Sequence, residues 1–287
     1  MFIEVGPAAL VVRGEKDGSP FEFHRERVEG LVANILSDIG GCLPILKQKA
    51  YKIKKTASLP DVARMMVEAV KAVDGASLTP MAAVAGSVAD RLRDYLTTEA
   101  LDFLSINNGG DISVFNPSGR PVIIGLGDIE RNRATPYSLR IEGLTEFGIA
   151  TSGFGGRSFT QGIADVVSVI ASSGALADAA ATFICNCTAI PSEQVARQRA
   201  GDIDAGSDIA DELVTVHVGP LDAALVREAL KKGWAAAQAL KRANAIVDAV
   251  LLLRNEMVTT IEDNTTIRLE VRNGNQETSD GGGGHLL

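Results

Sequence analysis

Asp178 and Thr182 stand four residues apart in GALADAAATFICN, residues 174–186, where Asp178 is the one charged residue. On a helix this spacing puts both side chains on one side. A carboxylate on an otherwise apolar helix is costly to bury unless it is paired or meets a cation. Oxygen donors of this kind suit Mg2+ or Ca2+. The alternative is an acid near a helix start that meets backbone amides. A second candidate is ATSGFGGRSFTQG, residues 150–162, with four glycines, several hydroxyls and Arg157. Glycines let backbone N–H groups converge on an anion, and a guanidinium fork could clamp a phosphate. A plain surface loop is the competing reading. The third is SINNGGDISVF, residues 105–115, where Asn107-Asn108-Gly109-Gly110-Asp111 separates two apolar runs. A tight turn explains it, and so does a backbone that must approach a phosphate or metal.

Other patterns are set aside on their spacing. Gly125-x-Gly127 follows a strand-like run, but the third glycine of a dinucleotide fingerprint is missing and RNRATP stands where its helix should begin. No GxxxxGK[ST] loop is present. GDIDAGSDIADE, residues 201–212, imitates a calcium loop, with its glycine one place early and Leu213 where the bidentate Glu belongs. A solvated acidic loop is expected there. KQKAYKIKK, residues 47–55, carries five lysines in nine residues and reads as a solvated connector or a phosphate-facing patch. His24, His217 and His285 lie in none of these segments, so a Ser-His-Asp hydrolase finds no support.

The bulk numbers narrow the class. A net charge of −8 argues against non-specific nucleic-acid binding, and 46% apolar with 22% charged residues is globular. Cys42, Cys185 and Cys187 form neither a disulfide framework nor a CxxC zinc site, which suits reduced thiols in the cytoplasm. MFIEVGPAAL shows no secretory signal. Residues 166–185 are apolar enough to raise a membrane span, but Asp178 would cost about 2.5–3.5 kcal/mol at its centre and Ser172-Ser173-Gly174 divides it. A buried strand followed by a buried helix is expected, with no membrane partner.

The elements that must position these residues follow from periodicity and punctuation. Asp17-Gly18 predicts a hairpin between AALVVRG and FEFHRERV. Helical spacing covers 27–47, interrupted at Gly40-Gly41 and Pro44. Helices start at Ser58-x-Pro60 and at Thr79-Pro80. Strands are expected at 102–107, 112–115, 121–125, 137–142, 146–151 and 165–171, then a helix over 175–187 and another over 192–200. LVTVHV forms a strand, residues 222–243 a long helix with Leu225, Trp234 and Ala237 on its apolar stripe, and 257–261 and 266–271 short strands. This order predicts an α+β fold with mixed or antiparallel sheets. One domain is expected over 1–272, with a flexible Gly-rich tail over 273–287. Apolar edge strands and an Ala-rich surface are compatible with a homodimer.

Taken in order, TPMAAVAG, INNGGDI, ATSGFGGRSF and VVSVIASSGALADAAAT resemble the ApbE-like superfamily, whose best-known members are Mg2+-dependent FAD:protein FMN transferases. TPMAAVAG with GIADVVSV and LADAAAT looks like an uncharacterised bacterial and archaeal branch of it. The motifs cover about residues 75–190. The resemblance implies two intertwined α+β subdomains that bind FAD, with the metal near the pyrophosphate. It implies Asp178 and Thr182 as metal ligands, completed by a backbone carbonyl near Thr79–Ala82. Asn108, Gly109, Gly110 and Asp111 correspond to its GGD turn, and Thr151, Ser152 and Gly153 to its phosphate-side loop, beside which Arg157 falls. A flavoprotein acceptor would be the partner. The transferases carry a histidine shortly after that loop, where RSFTQGIAD has none, and their N-terminal flavin-holding segment has no match in 1–60. Two functions stay open: Mg2+-dependent transferase or pyrophosphatase-type chemistry on FAD or another phosphorylated ligand, and a non-catalytic binding or accessory protein on the same scaffold.

Overall fold

Apolar residues alternate along the first long strand, and that alternation sets the sheet. The structure, a computed structural model, describes residues 1–128, 133–262, 266–271 and 285–286. β1 (Phe2–Val5), which the sequence did not mark, pairs with β2 (Ala8–Lys16), whose Ala8, Leu10 and Val12 are buried. Asp17 and Gly18 take positive φ and turn β2 into β3 (Ser19–Phe21), as an Asp-Gly hairpin requires. The second half of FEFHRERV is helix instead: α1 runs Arg25–Leu46. Val28, Val32, Ile35, Ile39, Cys42 and Leu46 form its buried stripe, and Gly40-Gly41 does not break it. α2 (Asp61–Asp74) starts after Pro60 with no side-chain cap, so Ser58 is not the capping residue. A 3-10 turn, Pro80–Ala83, leads into α3 (Val84–Leu96).

Next come β4 (Phe103–Asn108), β5 (Asp111–Phe115), β6 (Val122–Asp128), β7 (Arg133–Ile141), β8 (Glu146–Ser152) and β9 (Val166–Ala171), then α4 (Gly174–Cys187). β9 is buried along its whole length, and Ala177, Ala180 and Ile184 pack α4 into the same core. The helix expected over 192–200 is instead β10 (Val195–Arg199) followed by one turn, α5 (Ala200–Ile203). Pairing with β11 (Leu213–Val218) overrides the helix preference of Glu, Gln, Ala and Arg there. Asp222 caps α6 (Ala223–Arg242), accepting from the Leu225 amide. Val226, Ala229, Leu230, Gly233, Ala237 and Leu240 carry its buried face, while Trp234 sits at the flank and donates its indole N–H to the Thr259 carbonyl. β12 (Asp248–Leu253), β13 (Glu256–Thr259) and β14 (Ile267–Val271) follow, and the short strand His285–Leu286 ends the order.

The large sheet is antiparallel, in the order β1-β2-β4-β5-β8-β9-β12-β13 with β3 on the flank of β2. The helices cover one face. β14-β7-β6 cover the other, where Leu139, Ile141 and Ile124 meet Val114, Ile149 and Val250. His285–Leu286 lie alongside β6. The remainder of the expected tail, 273–284 and 287, falls outside the described residues. The architecture is α+β with predominantly antiparallel sheets.

Candidate metal and anion site

Two helices that almost touch create the site. A Cβ on Gly86 of α3 would run into the Gly174 carbonyl of α4 and stand 2.8 Å from the Ala175 nitrogen. Gly86 therefore has no room for a side chain, and a Cβ on Gly174 would stand 3.0 Å from the Gly86 carbonyl oxygen. At this crossing the Asp178 carboxylate accepts from the Gly86 amide at 3.0 Å, and the Ala85 amide also stabilises it. Asp90 of α3 reaches the other way and accepts from Gly174 at 2.9 Å and Ala175 at 2.8 Å. The Ser113 hydroxyl donates to it at 2.6 Å. Asp178 thus does meet helix-start amides, but those of a neighbouring helix, and its carboxyl group still opens on a cleft.

The β4–β5 turn supplies the second carboxylate. Asn108 and Asp111 pair across Gly109 and Gly110, whose φ values are +66° and +112°. Asn107 Oδ1 accepts from the Gly110 amide at 2.8 Å. Asn108 is buried and donates to the Ala85 carbonyl at 3.1 Å, tying the turn to the start of α3. Asp111 faces Asp178. Burial first, and the Asp178 charge second, push Asp111 well above the usual carboxylate range, while the Thr151 amide and Arg157 pull it back. Burial also carries Asp178 up to about 7, opposed by the Gly86 and Ala85 amides.

Two joined compartments open over this pair. The smaller, about 380 Å³, is lined by Thr151, Ser152 and Gly153 at the end of β8, and by Gly109 and Arg157. The larger is about 480 Å³. Both contain Asp111, Asp178, Thr182, Arg157, Ala85 and Ser158. Arg157 has no hydrogen-bond or ion-pair partner among the described residues. Asn108 and Gly110 hold the turn but do not line either compartment.

Thr79 stands just before the 3-10 turn Pro80–Ala83, which lines the same compartment as Asp178. It borders the larger compartment, its hydroxyl donates to Asp208, and its carbonyl accepts from the Ala82 amide at 3.1 Å. The backbone amides that meet Asp178 belong to Ala85 and Gly86. The acidic segment expected to be a solvated loop is in fact a wall of this compartment, through Asp204, Asp208 and Glu212. It is pinned from the lysine-rich segment: Lys47 donates to the Gly206 carbonyl and Lys49 pairs with Glu212. Gln161 also donates to Glu212. Leu43, Met81, Val84, Phe159 and Ile209 give the same compartment apolar sides. Asp90, Ala85, Asp208 and Glu212 carried no signal in the sequence beyond the acidic character of 201–212.

A family model described as AbpE bacteria matches residues 1–260. A UPF0280 protein of Methanopyrus kandleri is 31% identical over 200 residues, covering 69% of this chain and 74% of the relative. UPF0280 proteins of Methanospirillum hungatei and Methanocaldococcus jannaschii are each 37% identical over 133 residues; the matches cover 46% and 45% of this chain, and 52% and 51% of theirs. Among solved structures, the apo flavinyl transferase ApbE of Pseudomonas stutzeri aligns with a TM-score of 0.48 at 15% identity, over 91% of this chain and 93% of that one. The flavin transferase ApbE of Vibrio cholerae aligns with a TM-score of 0.36 at 14% identity, over 86% and 77%.

Proposed function

The chain belongs to the AbpE bacteria family, and from that premise we propose that its cleft binds Mg2+ together with a phosphorylated, flavin-type ligand, FAD before others. The facing of Asp111 and Asp178 carries this reading. Of these two carboxylates set beside each other below a cleft, Asp178 opposes the ionisation of Asp111. A divalent cation between them would remove that opposition. Thr182 adds a hydroxyl from the same helix face as Asp178. Among the described residues no three His, Cys, Asp or Glu side chains gather at one metal-sized point. The donors are therefore two carboxylates and a hydroxyl, leaving places for water and ligand oxygens. That incomplete, all-oxygen set fits Mg2+, which keeps waters and shares its ligands with phosphates.

When bound, such a cation supplies charge neutralisation on phosphate oxygens. Arg157 and the 151–153 segment would hold the anionic part of the ligand, and the apolar sides of the larger compartment its uncharged part. The chemistry proposed is FMN transfer or pyrophosphate cleavage of FAD. A second reading rests on one observation: neither His24 nor His217 lines the cleft, so a binding or accessory role on this scaffold needs no histidine that the site lacks.

A thermal-shift titration with FAD, with and without Mg2+, tests the reading. A ligand that binds only the folded state adds about 2.7 kcal/mol at a hundredfold excess over Kd. The shift should need Mg2+ and vanish in Asp178→Ala. Release of FMN or AMP then separates enzyme from binding protein. No shift at saturating FAD with Mg2+ removes flavin as the ligand.

A further inference from the structure

We propose that Gly109 is a positioning residue for Arg157: the missing Cβ is the seat of the guanidinium, and the arginine so seated is the anion-binding group of the smaller compartment. The inference rests on the reading of the cleft as a cation and phosphate site.

The two glycines of the turn are there for different reasons. Gly110, at φ +112°, has nothing within 4 Å of where a Cβ would be, so only its backbone conformation asks for glycine. Gly109, at φ +66°, lies in the left-handed region that asparagine also enters at modest cost. A side chain there is strained by the backbone, and it would also have to displace the end of the arginine. A Cβ on Gly109 would fall on Arg157 Nη2, 2.7 Å from Cζ and 3.4 Å from Nε. The guanidinium occupies the volume a side chain would need.

This seat matters because, beyond the attraction of Asp111 for its charge, no hydrogen bond or ion pair among the described residues holds the arginine. Arg157 lies on an exposed stretch, and its guanidinium has no hydrogen-bond or ion-pair partner among the described residues. Among the described residues it is the one cationic side chain on the smaller compartment, across from two carboxylates. A long, unpaired side chain would ordinarily sample many rotamers. Packed against Gly109, its fork is pre-organised with its donors unspent, the arrangement that favours a planar, bidentate oxyanion contact. The glycine thus faces the arginine, and the arginine faces the ligand.

The test uses inorganic pyrophosphate with Mg2+ as the probe, so that no base or ring recognition enters. Binding is read by calorimetry on the wild type, Gly109→Asn, Arg157→Ala, Arg157→Lys and the Gly109→Asn/Arg157→Ala double variant. Gly109→Asn should weaken pyrophosphate at least tenfold, as Arg157→Ala does, and Arg157→Lys should not restore wild-type affinity. The double variant should bind no worse than Arg157→Ala alone. Without ligand, it should also melt above the Gly109→Asn single variant, because removing the guanidinium clears the space. This second readout holds even if the single variant fails to fold. Wild-type affinity in Gly109→Asn, or losses that add in the double variant, would overturn the proposal. An unchanged Arg157→Ala would overturn it while leaving the cation site intact. Absence of any pyrophosphate binding by the wild type would remove the reading beneath it as well.

Discussion

Asp90 and Asp178 are exchanged between two helices: each carboxylate leaves its own helix and receives the first-turn amides of the other. A helix N-terminus leaves its first N–H groups without partners in its own helix, so the α3–α4 crossing is locked by reciprocal hydrogen bonds. The two ends differ in purpose. Asp90 is wholly buried and its two oxygens are spent on Gly174, Ala175 and Ser113. Asp178 opens on the cleft, and its partner across the gap is a second acid, Asp111. One aspartate fixes the helix that presents the other.

Asp90→Ala should therefore be felt throughout the site. It leaves two amides and a hydroxyl buried without an acceptor, at a cost of about 2–4 kcal/mol. Urea unfolding should show this as a lower midpoint with an unchanged slope. A loss below about 1 kcal/mol would mean that the helix contact holds without the carboxylate.

The pH dependence of this anchor has a definite sign. Burial outweighs Arg93 and the hydrogen bonds, and raises Asp90 above its ordinary 3.8. The folded state then holds the proton more tightly than the unfolded chain does. The group's contribution is full below 3.8 and is lost as pH rises through its folded value. Unfolding free energies measured from pH 3.5 upward should show the wild type losing ground to Asp90→Asn. A constant difference between the two would contradict the shift.

The sequence made part of this legible, for physical reasons that differ by residue. Asp178 and Thr182 stood out because one helix carries both, and Thr151–Gly153 because glycine and hydroxyls punctuate a strand end. β12 was missed because Asp248–Leu253 is buried along its whole length and lacks the alternation that marks a strand. Asp208 and Glu212 were passed over because what makes them part of the site is distant in sequence. Thr79 lies 129 residues from Asp208, and Lys49 lies 163 from Glu212. No local spacing encodes such contacts.

Glycine positions on two helices should respond in opposite directions. Gly86→Ala drives a methyl group into the Gly174 carbonyl and to 2.8 Å from the Ala175 nitrogen, both backbone atoms that cannot step aside alone. A loss of roughly 2–3 kcal/mol is expected, as for overpacking a tight core contact. Gly40→Ala on α1 meets nothing within 4 Å and should gain about 0.5–1 kcal/mol from helix propensity. Paired thermal melts check both. A tolerated Gly86→Ala would show that α3 and α4 can separate, and with them Asp178 and the Gly86 amide.

Thr79 and Thr182 are both threonines on the larger compartment, and Mn2+ titration should tell them apart. Thr182 shares a helix face with Asp178, four residues on, and sits where both compartments meet. Thr79 instead gives its hydroxyl to Asp208, so its work is to hold the acidic wall against the start of the 3-10 turn. Thr182→Val should weaken Mn2+ by about tenfold, the size of losing one directly bound or tightly supporting group. Thr79→Val should leave Mn2+ affinity unchanged and cost about 1 kcal/mol of stability for the broken contact, while the 204–212 segment becomes easier to cleave in limited proteolysis. Equal Mn2+ losses in both variants would return Thr79 to the metal and leave Asp208 as a bystander. An unaffected Thr182→Val would place the cation on Asp111 and Asp178 alone.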